Sequence, residues 1–152
     1  MPTEVAERAN REPVHQLSVF ADNKVGRLND LISRFASRNI HIAALSQVDS
    51  TECSIMRLIV NYPDDARALL EEFNYTYSVT PVLAVELLSA DALREVTCAL
   101  VEAEINIHYL YAFLTRPLER TALAMHVEDM DLAAQVLISK GLKVLDQQDI
   151  AR

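Results

Sequence analysis

Apolar residues recur along this chain of 152 residues in two periods, and the periods alternate. Val14 to Ala21 alternates loosely and predicts a strand. Leu28, Leu31, Ile32, Phe35 and Ala36 follow the i, i+3, i+4, i+7, i+8 spacing of a helix with one buried face. Ile40 to Val48 reads as a second strand. The polar turn Asp49 to Glu52 leads to a third, Ser54 to Asn61, in which Met56, Leu58 and Val60 share one face. Pro63-Asp64-Asp65 opens a second helix, since a proline there gives up no needed N–H and acids favour the positive helix end. Its stripe is Ala66, Leu69, Leu70 and Phe73. Tyr75 to Thr80 predicts a short fourth strand, completing the order βαββαβ.

The pattern then repeats. At a shift of 65 residues Leu28 meets Leu93, Leu31 meets Val96, Phe35 meets Leu100, Ile40 meets Ile105, and Ile42 meets Ile107. Beyond the third strand the shift becomes 67, because the turn Thr115 to Arg120 is longer; Val60 then meets Val127 and Ala66 meets Ala133. Asn74 meets Gly141, and both residue types suit a left-handed helix end. Matches at a fixed shift with the element order kept argue for a duplicated unit. The second half therefore predicts strands over 82–88, 106–114, 121–127 and 142–145, and helices over 91–104 and 130–140. The organisation expected is a flexible tail 1–13, a first unit 14–80, a second unit 81–146 and a C-terminal tail 147–152.

Each unit puts two helices on one face of a four-stranded antiparallel sheet, the ferredoxin-like motif of an α+β fold. The other face normally meets water and is polar. Here both alternating sets of the strand 107–114 are largely apolar: Ile107, Tyr109, Tyr111 and Phe113 on one side, His108, Leu110, Ala112 and Leu114 on the other. Something must cover the free face, and another sheet is the common cover. The expectation is two units joined side by side into one eight-stranded sheet, with a homodimer burying Tyr109, Tyr111 or Phe113. The competing arrangement packs the helices of both units on this strand from opposite sides, with the units stacked face to face in a monomer.

Composition narrows the functional classes. Half of the residues are hydrophobic (51%), enough for a packed core, yet no apolar run approaches membrane-spanning length. The first residues lack the apolar stretch of a signal peptide, so a cytoplasmic location is expected. A formal net charge of −8 disfavours binding to a nucleic-acid backbone. Cys53 and Cys98 lack metal-ligand spacing and read as reduced thiols, and the four histidines are scattered, so neither a metal nor a cofactor is expected. No Ser/His/acid order or phosphate loop is visible, which argues against an enzyme; His41 with Asp22 is a remote acid–base option.

One stretch carries candidate chemistry. Asp22-Asn23-Lys24-Val25-Gly26-Arg27-Leu28 links the first strand to the first helix and holds one of only two glycines. Gly26 permits a sharp turn and close approach of a ligand. Free N–H groups of the helix start favour a carboxylate. The same residues also suit a plain strand-to-helix connection.

The duplication, the loop Asn23 to Leu28, and the segments Asn39-Ile40-His41-Ile42 and Ile105-Asn106-Ile107 resemble ACT domains, small regulatory modules that bind amino acids. The resemblance covers about residues 14–146 and is nearest to stand-alone tandem ACT proteins related to acetolactate synthase small subunits. It implies a site where two ACT units pack side by side, with a loop asparagine and loop N–H groups from one unit and a strand asparagine from its neighbour. On this chain Asn23 and Gly26 match the loop positions and Asn106 the strand position, which His41 holds in the first unit. The second loop reads Ser89-Ala90-Asp91-Ala92-Leu93, with Asp91 where Gly26 stands, and looks degenerate. Val25 replaces the usual proline.

The resemblance thus implies a non-catalytic regulatory protein. Its amino-acid effector would sit between the two units, on Asp22, Asn23, Val25, Gly26, Leu28 and Asn106. The alternative is a regulatory subunit acting through a partner biosynthetic enzyme such as acetolactate synthase. A vestigial ligand loop on a purely structural module is the third possibility.

Overall fold

One strand serves both halves of the chain. The structure, a computed structural model, describes residues 12–116 and 120–151. Its elements are β1 (Val14–Ala21), α1 (Arg27–Ser37), β2 (Ile42–Asp49), β3 (Ser54–Val60), α2 (Pro63–Glu72), β4 (Thr76–Leu87), α3 (Ala92–Glu102), β5 (Ile107–Ala112), β6 (Thr121–Val127), α4 (Met130–Ser139), β7 (Val144–Leu145) and α5 (Gln147–Ala151). The expected strands 75–80 and 82–88 are one, β4. Its first half pairs with β1 (Val14 with Val82, Phe20 with Thr76), and its second half pairs with β6 and β7 (Leu83 with Met125, Ala84 with Leu145). Pro81 does not break it. Through Val82 the strand is paired on one side only, and a stretch with a free edge tolerates a missing N–H.

The fusion makes one seven-stranded antiparallel sheet, ordered β2-β3-β1-β4-β6-β5 with β7 beside β4, in place of the eight strands expected. The repeat persists in its details. β2 and β5 each carry a register irregularity at the equivalent place, between Ile42 and Ala44 and between Ile107 and Tyr109. All four repeat helices end through a residue at positive φ: Asn39 (56°), Asn74 (58°), Glu104 (57°) and Gly141 (82°). The next N–H reaches back to the last turn, as from Ile40 to the Phe35 carbonyl (3.0 Å) and from Ile105 to that of Leu100 (2.9 Å), the closure that satisfies orphan helix carbonyls. The repeat, at a shift of 65 residues for Asn39 and Glu104 and of 67 for Asn74 and Gly141, therefore holds at the level of single backbone angles.

Helices α1 to α4 lie on one face of the sheet. Under α1 and α2, Leu31, Phe35, Leu69 and Leu70 bury against Leu17, Met56 and Leu58. Under α3 and α4, Val96, Leu100 and Leu137 bury against Val85, Leu123 and Met125. The other face curls onto itself. Val14, Ala43, Ala44 and Ile59 of the first unit form one cluster with Ala122, Ala124 and Tyr111 of the second, with Tyr109 and Phe113 packed on it. The outermost strands β2 and β5 meet where Ala44 bridges to Phe113, and the Leu114 N–H donates to the Ala43 carbonyl at 2.7 Å. The free face is thus covered within one chain, chiefly by the sheet itself and not by the helices of the two units from opposite sides. The small residues Ala43, Ala44, Ala122 and Ala124 let the half-sheets approach around the larger rings. A homodimer is not required to bury the tyrosines.

The seam is not wholly apolar. Gln16 is fully buried and its amide is satisfied from across the seam. The Tyr111 hydroxyl donates to Gln16 Oε1 (2.7 Å), while Gln16 Nε2 donates to the Tyr109 hydroxyl (2.8 Å) and to Ser18 Oγ (3.1 Å). Burial, then the neighbouring Tyr109, pushes the Tyr111 phenol well above its ordinary value, so it stays a donor. Arg57 lies 3.7 Å over the Tyr109 ring, which also stacks on His126 with centroids 5.2 Å apart.

The expected C-terminal tail is partly ordered. In α5, Gln147 Oε1 accepts from the His15 N–H (3.0 Å), its Nε2 donates to the Val60 carbonyl (3.2 Å), and Ile150 is buried in the seam cluster. Residues 1–11 of the expected N-terminal tail, and 117–119 of the longer turn, lie outside the described residues.

Two outcomes follow for stability. Tyr111→Phe strands the buried Gln16 Oε1 and is expected to cost about 1–3 kcal/mol. Tyr109→Phe costs less, because Gln16 Nε2 keeps Ser18; thermal denaturation of both variants checks the order, and the reverse order contradicts the network. Separately, burial, then His108 and Arg57, holds the His126 imidazole below the ordinary histidine range. The unfolded chain therefore takes up that proton first as pH falls below about 6.5, and stability is lost from there downward. Melting curves between about pH 7.5 and 5.5 should show a shallower decline in His126→Gln than in the wild type.

Candidate functional site

The loop after β1 is built around a left-handed residue. Gly26 occupies the N-cap of α1 at φ 90°, ψ −6°, a conformation costly for a residue with a Cβ. A Cβ placed there would meet no atom within 4 Å. The glycine therefore answers a backbone demand, and the space beside it is open. No side chain caps this helix, in contrast to α4, where Asp129 Oδ1 accepts from the Leu132 N–H at 3.0 Å. The first-turn N–H groups of α1, those of Leu28 and Asn29 in particular, thus face outward without a side-chain acceptor.

Around this turn the predicted residues divide. Asp22 is clamped by its neighbours: Arg27 Nε (2.5 Å) and Nη2 (3.1 Å) donate to its two oxygens, and Lys24 Nζ lies at 3.3 Å. The Arg27 hydrogen bond first, with Lys24 assisting, holds its carboxyl below the usual carboxylate range. Asp22 therefore shapes the loop and neutralises Arg27, and is a weaker partner for a ligand ammonium than its charge suggests. Asn23 is exposed and its amide has no partner among the described residues. Val25 is fully exposed at the tip (106%), and Leu28 turns inward against the core beneath α1. The loop offers an open anion cradle with an apolar tip.

Asn106 is not part of this cradle within the chain. The loop leaves β1 just beyond Phe20, whose partner is Thr76 at the start of β4. Asn106 precedes Ile107, whose partner Val127 lies two residues past Met125, the partner of Leu83. About five residues of strand, roughly 16 Å, separate the two levels along β4, before any distance across the sheet. The Asn106 carbonyl accepts from the Glu128 N–H (3.0 Å). The composite of first loop and second strand is thus not assembled in a single chain, because the shared strand displaces one unit along the other.

The second loop has a different geometry. Asp91 occupies the N-cap of α3 at φ −83°, ψ −10°, already right-handed, and its carboxylate makes no capping bond. Both loops keep one turn, from Arg27 N–H to the Lys24 carbonyl and from Ala92 N–H to that of Ser89, but only the first has the left-handed opening.

Two cavities lie elsewhere. One of about 550 Å³ runs between α4, β7 and the start of β1 and includes Met130, Ala134 and Leu142. One of about 380 Å³ opens at the end of the seam beside His41, Asn61 and Arg116. Sequence reasoning placed His41 at the strand position of the first unit but had no signal for the other walls, which come from distant segments. Among the described residues no group of three or more His, Cys, Asp or Glu side chains is placed to hold a metal, and no helix is long and apolar enough to cross a membrane.

Known proteins share this architecture. Protein BT0572 from Bacteroides thetaiotaomicron is 28% identical with a TM-score of 0.83, over 94% of this chain and 99% of that one. The ligand-free regulatory subunit of aspartate kinase from Thermus thermophilus is 15% identical with a TM-score of 0.58, over 84% and 91% of the two chains. The corresponding subunit from Thermus flavus is 12% identical at 0.55, over 84% and 93%. At these identities the two kinase subunits share the fold alone. No curated protein matches the sequence. The model of the ACT domain pair matches residues 12–152, nearly the whole chain, and this protein belongs to that family.

Proposed function

We propose that this ACT domain pair is a non-catalytic regulatory protein that binds one free amino acid per chain at the loop Asp22–Leu28. The observation that carries the reading is the left-handed opening of α1 at Gly26; α3 also starts without a side-chain cap, but Asp91 there is right-handed. Outward N–H groups of Leu28 and Asn29 suit an α-carboxylate. The free amide oxygen of Asn23 suits an ammonium. The exposed Val25 side chain gives an apolar wall to part of the ligand. Because the chain holds Asn106 away from this loop, Asn106 joins the site only across a contact between two copies. The reading therefore couples ligand binding to a homodimer, whose contact lies outside the tyrosine face.

Isothermal calorimetry with the common amino acids is expected to give one ligand per chain. Gly26→Asp places a carboxylate in the mouth of the cradle and strains φ; it is expected to weaken binding by ~10-fold or more. Two equal sites per chain contradict the asymmetry between the loops. Unchanged affinity in Gly26→Asp places the ligand elsewhere, and no binding by any amino acid supports a vestigial loop. Asn106→Ala is expected to weaken the same binding only under conditions where the protein is dimeric, as sedimentation reports.

A further inference from the structure

The 380 Å³ cavity sits where both units and the last helix converge. His41 and Ala43 line it from the start of β2, Asn61 from the end of β3, Arg116 from the connection after β5, and Ile150 from α5. Its position follows from the closure of the seam: the Leu114 and Thr115 N–H groups bond the Ala43 carbonyl (2.7 and 3.2 Å), which brings Arg116 beside the first unit. The volume lies at the small end of the range of small-molecule cavities and has room for a short aliphatic acid.

Among the polar side chains in this wall Arg116 can only donate, while His41, Tyr62 and Thr115 can donate or accept. Arg116 has no ion pair among the described residues, in a chain of net charge −8. Asn61 is held by the backbone: its Oδ1 accepts from the His41 N–H (2.9 Å), and its own N–H donates to the His41 carbonyl (3.1 Å). That bond fixes the amide orientation and leaves the Asn61 NH₂ as an unused donor. The His41 ring is exposed and makes no contact of its own among the described residues. Ala43 and Ile150 provide apolar surface. Among the described residues no lining side chain is a carboxylate.

We infer that this cavity binds a small aliphatic organic acid that lacks an ammonium group, of the 2-oxo-acid class. The Arg116 fork pairs with the carboxylate. The Asn61 NH₂ donates to the adjacent oxo oxygen, and a short aliphatic tail lies against Ala43 and Ile150. An α-amino acid fits worse, because its ammonium would enter beside the Arg116 guanidinium, with no carboxylate among the described lining residues. Bound ligand would tie β2, the β5–β6 connection and α5 together, and so tighten the seam. This site is separate from the Gly26 loop and does not depend on it.

The test uses 3-methyl-2-oxobutanoate and valine, which share one side chain and differ in oxo against ammonium. Calorimetry and amide chemical-shift mapping are run on the wild type, Arg116→Gln, Arg116→Lys and Gly26→Asp. The oxo acid is expected to bind wild type and Gly26→Asp alike, to bind Arg116→Gln at least ~10-fold more weakly, and to bind Arg116→Lys in between. Shifts are expected at Asn61, His41 and Ile150. No binding up to about 10 mM, equal affinity in Arg116→Gln, or tighter valine binding through Arg116 overturns the inference. Loss of valine binding in Gly26→Asp with the oxo-acid site intact separates the two sites.

Discussion

The packing of the sheet against itself is the interaction on which the rest of this molecule depends. A ferredoxin-like unit buries one face under its helices and leaves the other to find a cover. Here each unit supplies the cover for the other. The contact is made by small residues at the close approach, and by Tyr109, Tyr111 and Phe113 where there is room. A fully buried glutamine would oppose this packing if it were left alone. Gln16 is tolerated because two hydroxyls from the other unit and one from its own strand satisfy it. That network also selects one register between the halves, since a shift would leave the amide unpaired.

The shared strand β4 turns this contact into geometry. By serving as last strand of one unit and first of the next, it fixes how far one unit is displaced along the other. The displacement puts the two strand-to-helix loops and Asn106 at separate levels of the molecule. It also brings β2 to the end of β5, and that closure makes the small cavity beside Arg116 and Asn61. The buried Glu86, paired with Arg120 Nε at 3.1 Å and near Lys143 Nζ at 3.9 Å, adds a charged link between β4, the start of β6 and the residue before β7. Its Oε2 has no hydrogen-bond partner, so part of that link is electrostatic only.

Much of this was legible in the sequence. Hydrophobic period gave the helices and strands, and the constant shift of Leu28 to Leu93 and Ile40 to Ile105 gave the duplication. The turn residues Asn74 and Gly141 marked helix ends that are left-handed in the fold. Alternation in 107–114 showed that the free face needed a cover, but period alone says nothing of what the cover is; the alanines at 43, 44, 122 and 124 were the overlooked sign of a close intrachain approach. The break expected between strands 75–80 and 82–88 does not occur, since the effect of Pro81 depends on whether a neighbouring strand needs its N–H. Short helix α5 was illegible, for Gln147 and Ile150 make their contacts only after the units close. At the site, Gly26 was readable as a demand for positive φ, while the clamp of Arg27 and Lys24 on Asp22 and the separation of Asn106 required three dimensions.

The central functional claim is that ligand recognition resides in the left-handed, glycine-opened start of α1 and not in its right-handed repeat at Asp91. Amide chemical-shift mapping with a bound amino acid tests it most directly, because it reads the N–H groups themselves. The account predicts the largest perturbations at Gly26 to Asn29, with the equivalent amides at Asp91 to Arg94 unmoved. Perturbations of equal size in both loops, or centred away from either, would contradict it.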